Sequence, residues 1–337
     1  MEKTLDRVDR YLRRAGGRMV RMAIVAAAPA LVFSGAAADN YPSQPIRIIV
    51  PGAAGVGIDL DARPIAQKMG ELLGQPLVIE NRPAAGGKAA MEALAKAAPD
   101  GYTLSFAGAS QLVVLPYLHR ELPFDVDRDF VGISLTQVLP FVLTIHPSLG
   151  VNSVQEFVAK AKAHPGKITF ASQGNGSTVH MAGELFKAVT GADLKHIPYG
   201  AQSPFTDLAG GHVMAMFSGI APVMGNVKSG KLKILAVSAR QRVPVIGDVP
   251  TFAEAGLPSY EAGAWNGLVA PRGTPAAIIA RLNAEAVKAV HSPEVEERMH
   301  RFGGIPIGNS PEEFAAFLRA ERAKWGKLIR EARLQLD

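Results

Sequence analysis

Ile46-Arg47-Ile48-Ile49-Val50 runs through Pro51-Gly52-Ala53-Ala54-Gly55-Val56-Gly57 into Ile58-Asp59-Leu60-Asp61-Ala62-Arg63, and this stretch decides the fold. The β-branched run between Pro45 and Pro51 reads as a buried strand. A glycine-rich turn follows, then a helical pattern with acids at its start. Strand, glycine-rich turn and helix open a βαβ unit. Such a turn exposes backbone N–H groups at a helix N-terminus, where anions bind.

The same grammar repeats outward. Short apolar runs at Leu77–Glu80, Thr103–Ala107, Phe141–Ile145, Ile168–Ser172, Met214–Phe217, Ile234–Ser238 and Leu268–Ala270 read as further strands. Between them, Ser153-x-x-Glu156 reads as a capping box, Thr274-Pro275 opens an apolar-periodic helix, and Ser310-Pro311-Glu312-Glu313 caps the last one. Strand 168–172 enters a second glycine-rich turn, Gln173-Gly174-Asn175-Gly176-Ser177-Thr178, before a helix over 179–189, and strand 103–107 reaches Gly108-Ala109-Ser110. The alternation predicts an α/β protein built on mostly parallel sheets. The mature length exceeds one comfortable core, so two α/β domains are expected, with a small anion held between turns from both halves.

Composition removes whole classes of function. Of 337 residues, 48% are apolar and 20% charged, a globular balance, and there is no cysteine. Disulfide scaffolds, thiolate zinc sites, iron–sulfur clusters and cysteine nucleophiles are excluded. The net charge of +6 points weakly to nucleic acid, but its distribution argues otherwise. Residues 1–21 hold seven Lys/Arg against three Asp/Glu, residues 22–38 hold none, and the remainder holds 29 against 27. No nucleic-acid partner is expected. Residues 1–38 read as a leader and secretory signal peptide: a basic start, the apolar run Met22–Phe33, then Ser34-Gly35-Ala36-Ala37-Ala38. Translation is expected to start at Met19, and the mature chain to begin near Asp39 and work in the periplasm as a monomer.

Other candidate chemistry is thin. His164, His180, His196 and His212 stand sixteen apart, but their flanks share nothing, so they form no repeat. No His-x-His or His-Glu-x-x-His occurs, and no metal or cofactor is expected. Asp59 and Asp61 with Arg63 read either as a carboxylate site or as the charged start of a helix. An enzyme would need an acid, base or nucleophile in the cleft, and only Asp59 or His180 qualify; the protein is expected not to be one. Pro64 in a helix interior costs about 3 kcal/mol, so that helix is expected to begin at Asp61 or to kink at Pro64.

Dense motifs carry a family resemblance. Tyr41-Pro42-Ser43-Gln44-Pro45-Ile46-Arg47, Val78-Ile79-Glu80-Asn81-Arg82-Pro83 with Gly86-Gly87, Ala97-Ala98-Pro99-Asp100-Gly101-Tyr102, His180-x-Ala182-Gly183-Glu184-Leu185-Phe186, His196-x-Pro198-Tyr199, Ala270-Pro271-x-Gly273-Thr274-Pro275 and Ser310-Pro311-Glu312-Glu313-Phe314 occur in order over residues 41–333. Together they resemble the Bug family, the extracytoplasmic solute receptors associated with tripartite tricarboxylate transporters. The resemblance implies a two-lobed periplasmic-binding fold of type II, each lobe a central β-sheet flanked by helices. Lobe one would be 39–143 plus 264–337, and lobe two 144–263. It implies a small carboxylate in the cleft and the transporter's membrane subunits as partners, with a sensor or signalling role as the alternative.

Carried onto this sequence, ligand contacts fall on Gly52, Ala53, Gly55, Gly57 and Asp59, on Ala107 and Ser110, on Gly174, Gly176, Ser177 and Thr178, and on Tyr199 and Ser218. Departures from the family pattern bear on the ligand. The first turn is Gly52-Ala53-Ala54-Gly55-Val56 in place of a Phe-Pro-Pro-Gly-Gly-like stretch, Tyr199 precedes Gly200-Ala201 in place of Lys-Gly, and Ser218 stands where Asp is common. An Asp at 218 would accept an ammonium group or repel a second carboxylate by about 4 kcal/mol at 4 Å. A neutral Ser predicts a mono- or dicarboxylate, or an aromatic acid, with no required ammonium.

Overall fold

The computed structural model describes residues 40–331 apart from Val56, Arg120 and Ala201. The leader, the signal peptide and the start at Met19 lie outside the described residues. Eleven strands are described: β1 (Ile46–Val50), β2 (Leu77–Asn81), β3 (Thr103–Gly108), β4 (Phe130–Pro140), β5 (Val142–Ile145), β6 (Ile168–Ser172), β7 (Leu194–Pro198), β8 (Ala215–Ser218), β9 (Lys233–Val237), β10 (Gly263–Pro271) and β11 (Ile305–Pro306). They form a six-stranded sheet, β11-β4-β10-β3-β1-β2, and a five-stranded sheet, β7-β6-β8-β5-β9. Helices flank both, so the α/β class holds. The chain passes to the second sheet between Pro140 and Val142 and returns between Val237 and Gly263.

The sheets are mixed, which corrects the expectation of mostly parallel ones. β1 pairs parallel with β2 and β3, and β6 with β7 and β8, each through a helical crossover. β10 runs antiparallel to β3 and β4, and β5 antiparallel to β8 and β9. The strands beside the inter-sheet crossings need no helical crossover, so nothing holds them parallel.

Local chemistry explains most of the boundaries. The Ser310 hydroxyl accepts from Glu313 N–H at 3.2 Å while the Glu313 carboxylate accepts from Ser310 N–H at 2.9 Å, a complete capping box before the helix Pro311–Glu331. Ser153 caps the helix Val154–Ala163 through Glu156 N–H, but the Glu156 side chain reaches back to Asn152 N–H. The first helix spans Ile58–Leu73 with Pro64 inside it, so it does not begin at Asp61. The buried Asp59 carboxylate, tied back onto the preceding turn, sets the earlier start.

Each sheet has its own aromatic centre. Phe314 packs on the faces of Gly132 in β4 and Gly267 in β10, where a Cβ would approach its ring to 2.7 and 2.3 Å. Beside it, Trp265 and Trp325 both donate their indole N–H to Glu321, at 3.0 and 2.8 Å. In the second sheet Phe170, Phe186, Phe217, Phe252 and Tyr260 interlock with ring centroids 4.3–6.3 Å apart.

Candidate functional site

The turn after β1 is built around a buried carboxylate. Asp59 is fully buried and accepts four hydrogen bonds: Gly55 N–H at 2.7 Å, Arg63 Nε and Nη2 at 2.7 and 3.0 Å, and Asn81 Nδ2 at 2.8 Å. Burial works to raise its pKa, but the bonds from Arg63, Gly55 and Asn81 outweigh it and hold the carboxyl below its ordinary value. Asn81, at the end of β2, also donates to Gly52 O at 2.8 Å, so one amide clamps both ends of the turn. With its lone pairs filled, Asp59 has no acceptor left for a ligand; it shapes the turn. Asp61 is turned away, accepting from Asn266 of β10 at 2.9 Å, and burial pushes its pKa up. The two acids and Arg63 thus form no common carboxylate site.

What the turn presents outward is backbone. Ala53, Ala54, Gly55 and Gly57 are exposed, and Gly55 and Gly57 need their positive φ of 78° and 53°. Gly55 N–H is already committed to Asp59. Ile58 and Asp59, the first helical residues, have no acceptor for their N–H groups inside the helix.

Three turns meet at this edge of the first sheet. Gln111 accepts from Gly108 N–H at 3.2 Å and donates to Gly86 O at 2.7 Å, and Gly87 packs against Gln111 and Pro51 so closely that a Cβ would lie within 2.8 Å of both. Gln111 therefore joins the turns after β1, β2 and β3. Nothing in a single sequence marks it, because its partners are backbone atoms of distant segments. Ala107 is fully buried opposite Gly267, and Ser110 is half-buried in a π-helical turn, its carbonyl accepting from Leu115 N–H.

The second glycine-rich turn, after β6, is equally knit. Ser177 caps the helix Thr178–Thr190, its hydroxyl accepting from His180 N–H at 3.2 Å and donating to Gly174 O at 2.8 Å. Gly174 N–H donates to Ser172 Oγ at 3.0 Å, Gly176 N–H to His180 Nδ1 at 3.1 Å, and Ser177 N–H to Gly174 O at 3.2 Å. The expected donors Gly174 and Gly176 are thus occupied within the turn. Thr178 and Val179, whose N–H groups open the helix, are the available ones. Gly174 and Gly176, at φ 131° and 74°, supply the bend.

Tyr199 belongs to the same corner. Its N–H donates to Ser172 O at 3.0 Å and its hydroxyl to Asp207 at 2.8 Å; burial and that carboxylate push its pKa up to about 12, so the phenol stays protonated. Ser218 ends β8, is buried, and donates to Gly219 O at 3.1 Å. The sequence-derived residues thus fall in two groups at the carboxyl ends of parallel strands, one on each sheet, with Ser218 closed upon its own chain. Among the described residues, no group of three His, Asp or Glu side chains is placed to hold a metal ion, and no helix is long and apolar enough to cross a membrane. A groove of about 710 Å³ lies elsewhere, between the helix Ile58–Leu73 and the outer edge of β2 around Gly70, Gln75 and Leu77.

Two mixed sheets flanked by helices, with glycine-rich turns at the carboxyl ends of β1 and β6, form a fold of the periplasmic solute-binding type, as the solved structures similar to it also show. Over residues 61–334 the chain matches the Tripartite tricarboxylate transporter family receptor model, and it belongs to that family. It is 37% identical over 301 residues to protein BugT of Bordetella pertussis, spanning 89% of this chain and 92% of BugT. Among solved structures it is similar to periplasmic binding protein BugD (30% identity, TM-score 0.74, 88% of this chain and all of that one). It is also similar to two R. palustris proteins, Rpa4515 with adipate (31%, TM-score 0.78, 88% and 100%) and MatC with bound malate (32%, TM-score 0.73, 86% and 100%).

Proposed function

We propose that this chain captures a small dicarboxylate in the periplasm and delivers it to the membrane subunits of a tripartite tricarboxylate transporter. The observation that carries the reading is the pair of knit turns, Ala53–Asp59 and Gly174–Thr178, each ending in helix-start N–H groups. Charge-assisted hydrogen bonds contribute roughly 1.5–3 kcal/mol each, so a few of them account for micromolar binding of a small anion. The two carboxylates of adipate or malate suit one turn apiece. Lobe one is taken as residues 39–143 plus 264–337 and lobe two as 144–263, with β5 on the second sheet moving the first boundary to about 141. Ligand between the lobes would favour their closure and create the face that the membrane subunits read. Because Asp59 is saturated and position 218 is Ser, no carboxylate among the nominated residues awaits an ammonium group.

The test is calorimetry of adipate, malate, succinate and aspartate with the mature protein. Binding of one or more of the first three, with succinate preferred over aspartate, supports the reading. Clear preference for aspartate, kept in Ser218→Ala, overturns the ligand class, and silence toward all four overturns the function. A ligand-binding sensor without its own transporter would bind equally well, so transport by cells lacking the membrane subunits separates the two roles.

A further inference from the structure

His180 and His196 have no part in ligand contact as described above, yet the fold stacks them. Their ring centroids are 3.9 Å apart with planes 17° from parallel, and the Phe170 ring lies 4.9 Å from His196 and 6.4 Å from His180. The Nδ1 atom of His180 accepts from Gly176 N–H, so this ring is neutral with its proton on Nε2. His196 Nε2 lies 2.7 Å from Ser172 Oγ, the hydroxyl that donates to Gly174 O and accepts from Gly174 N–H. One imidazole thus fixes Gly176 and the other, through Ser172, fixes Gly174.

We propose that the stacked His180–His196 pair positions the Gly174–Thr178 turn for ligand, and that a proton on His180 Nδ1 releases it. This rests on that turn being a ligand-binding element. A protonated Nδ1 is a donor facing another donor, Gly176 N–H, so the bond is lost and the glycine at φ 74° is free to turn.

The surroundings favour the neutral pair. On its own helix His180 faces Glu184 Oε1, 3.8 Å from Nε2, but Lys187 holds both oxygens of that carboxylate at 3.0 Å. From β7 it meets His196, from β6 the uncharged Phe170 and, through His196, Ser172. Burial first, then Lys187, pushes His180 down to about 4; burial, then His180 itself, pushes His196 down to about 4.

The test needs no ligand at first. NMR of the free protein at pH 7 should show His180 with an unprotonated Nδ1, and the Gly176 amide shift should titrate with a midpoint within about one unit of pH 4. His180→Asn keeps an acceptor near Nδ1, so the Gly176 titration should vanish while adipate or malate affinity at pH 7 stays within about threefold. His180→Phe keeps the stack without the acceptor, and affinity should fall at least tenfold with the circular dichroism unchanged. A protonated Nδ1 at pH 7, a flat Gly176 titration in the wild type, or equal affinity in the Phe and Asn variants overturns the proposal. If the Phe variant does not fold, the Gly176 titration and the Asn variant decide. If the wild type binds neither acid, the ligand reading fails and the NMR titration alone decides the positioning role.

Discussion

Replacing Glu321 by alanine is expected to cost about 2–6 kcal/mol of folding stability. Its Oε2 atom is the acceptor for the indole N–H groups of Trp265 and Trp325, at 3.0 and 2.8 Å, and both indoles are only 3% exposed. Removing the acceptor leaves two buried donors unpaired, at about 1–3 kcal/mol each. Lys324, which pairs with the other carboxylate oxygen, has a side chain 31% exposed and turns to water at little cost. Glu321→Gln keeps an oxygen for the indoles, so it should lose no more than about 1 kcal/mol. Urea unfolding followed by tryptophan emission reads the site directly, since Trp265 and Trp325 are the chain's two tryptophans, with far-UV circular dichroism as an independent probe. An alanine variant within about 0.5 kcal/mol of wild type, or a Gln variant as unstable as alanine, would refute this account.

Gly183→Ala places a Cβ 2.1 Å from Phe170 Cε2 in a fully buried ring. Overpacking of about 1–3 kcal/mol should outweigh the helix gain of about 1 kcal/mol, and a raised Tm would contradict it. Asn81→Ala unclamps Gly52 O and Asp59, and should cost about 1–3 kcal/mol and weaken dicarboxylate binding; unchanged affinity in calorimetry would remove Asn81 from the site's support. His180 and His196 bind protons more weakly folded than unfolded. Between pH 6.5 and about 4 the unfolded chain therefore takes up protons that the native one refuses, and Tm should fall on acidification through that window. The fall should be shallower in a His180→Asn, His196→Asn double variant, and identical slopes would count against buried neutral rings.

Some of the site was visible in the chain and some was not, for reasons particular to each residue. The turns at 52–59 and 174–178 could be found because glycine after a β-branched run reflects local backbone need. Asp59 drew attention as a charged residue near a turn, but its role as an internal acceptor depends on Asn81, 22 residues away. Gln111 and the His180–His196 contact left no local trace. The sixteen-residue spacing meant nothing as a repeat, yet the βαβ unit from β6 to β7 stacks those two rings.

The sequence by itself determined the α/β class, β1 and β6 to the residue, the Ser310–Glu313 capping box and the family, because periodicity, capping and glycine placement act over a few residues. Only the tertiary structure decided strand β4. Its Ser134, Thr136 and Gln137 are polar yet buried; Ser134 donates to Asn309 O and Thr136 to Asn266 O, both from distant segments. It also decided the antiparallel partners of β5 and β10, the helix start ahead of Asp61, and which turn amides remain open to a ligand. Each of these depends on which acceptor a donor finds across the fold, and that pairing exists only once distant segments are packed together.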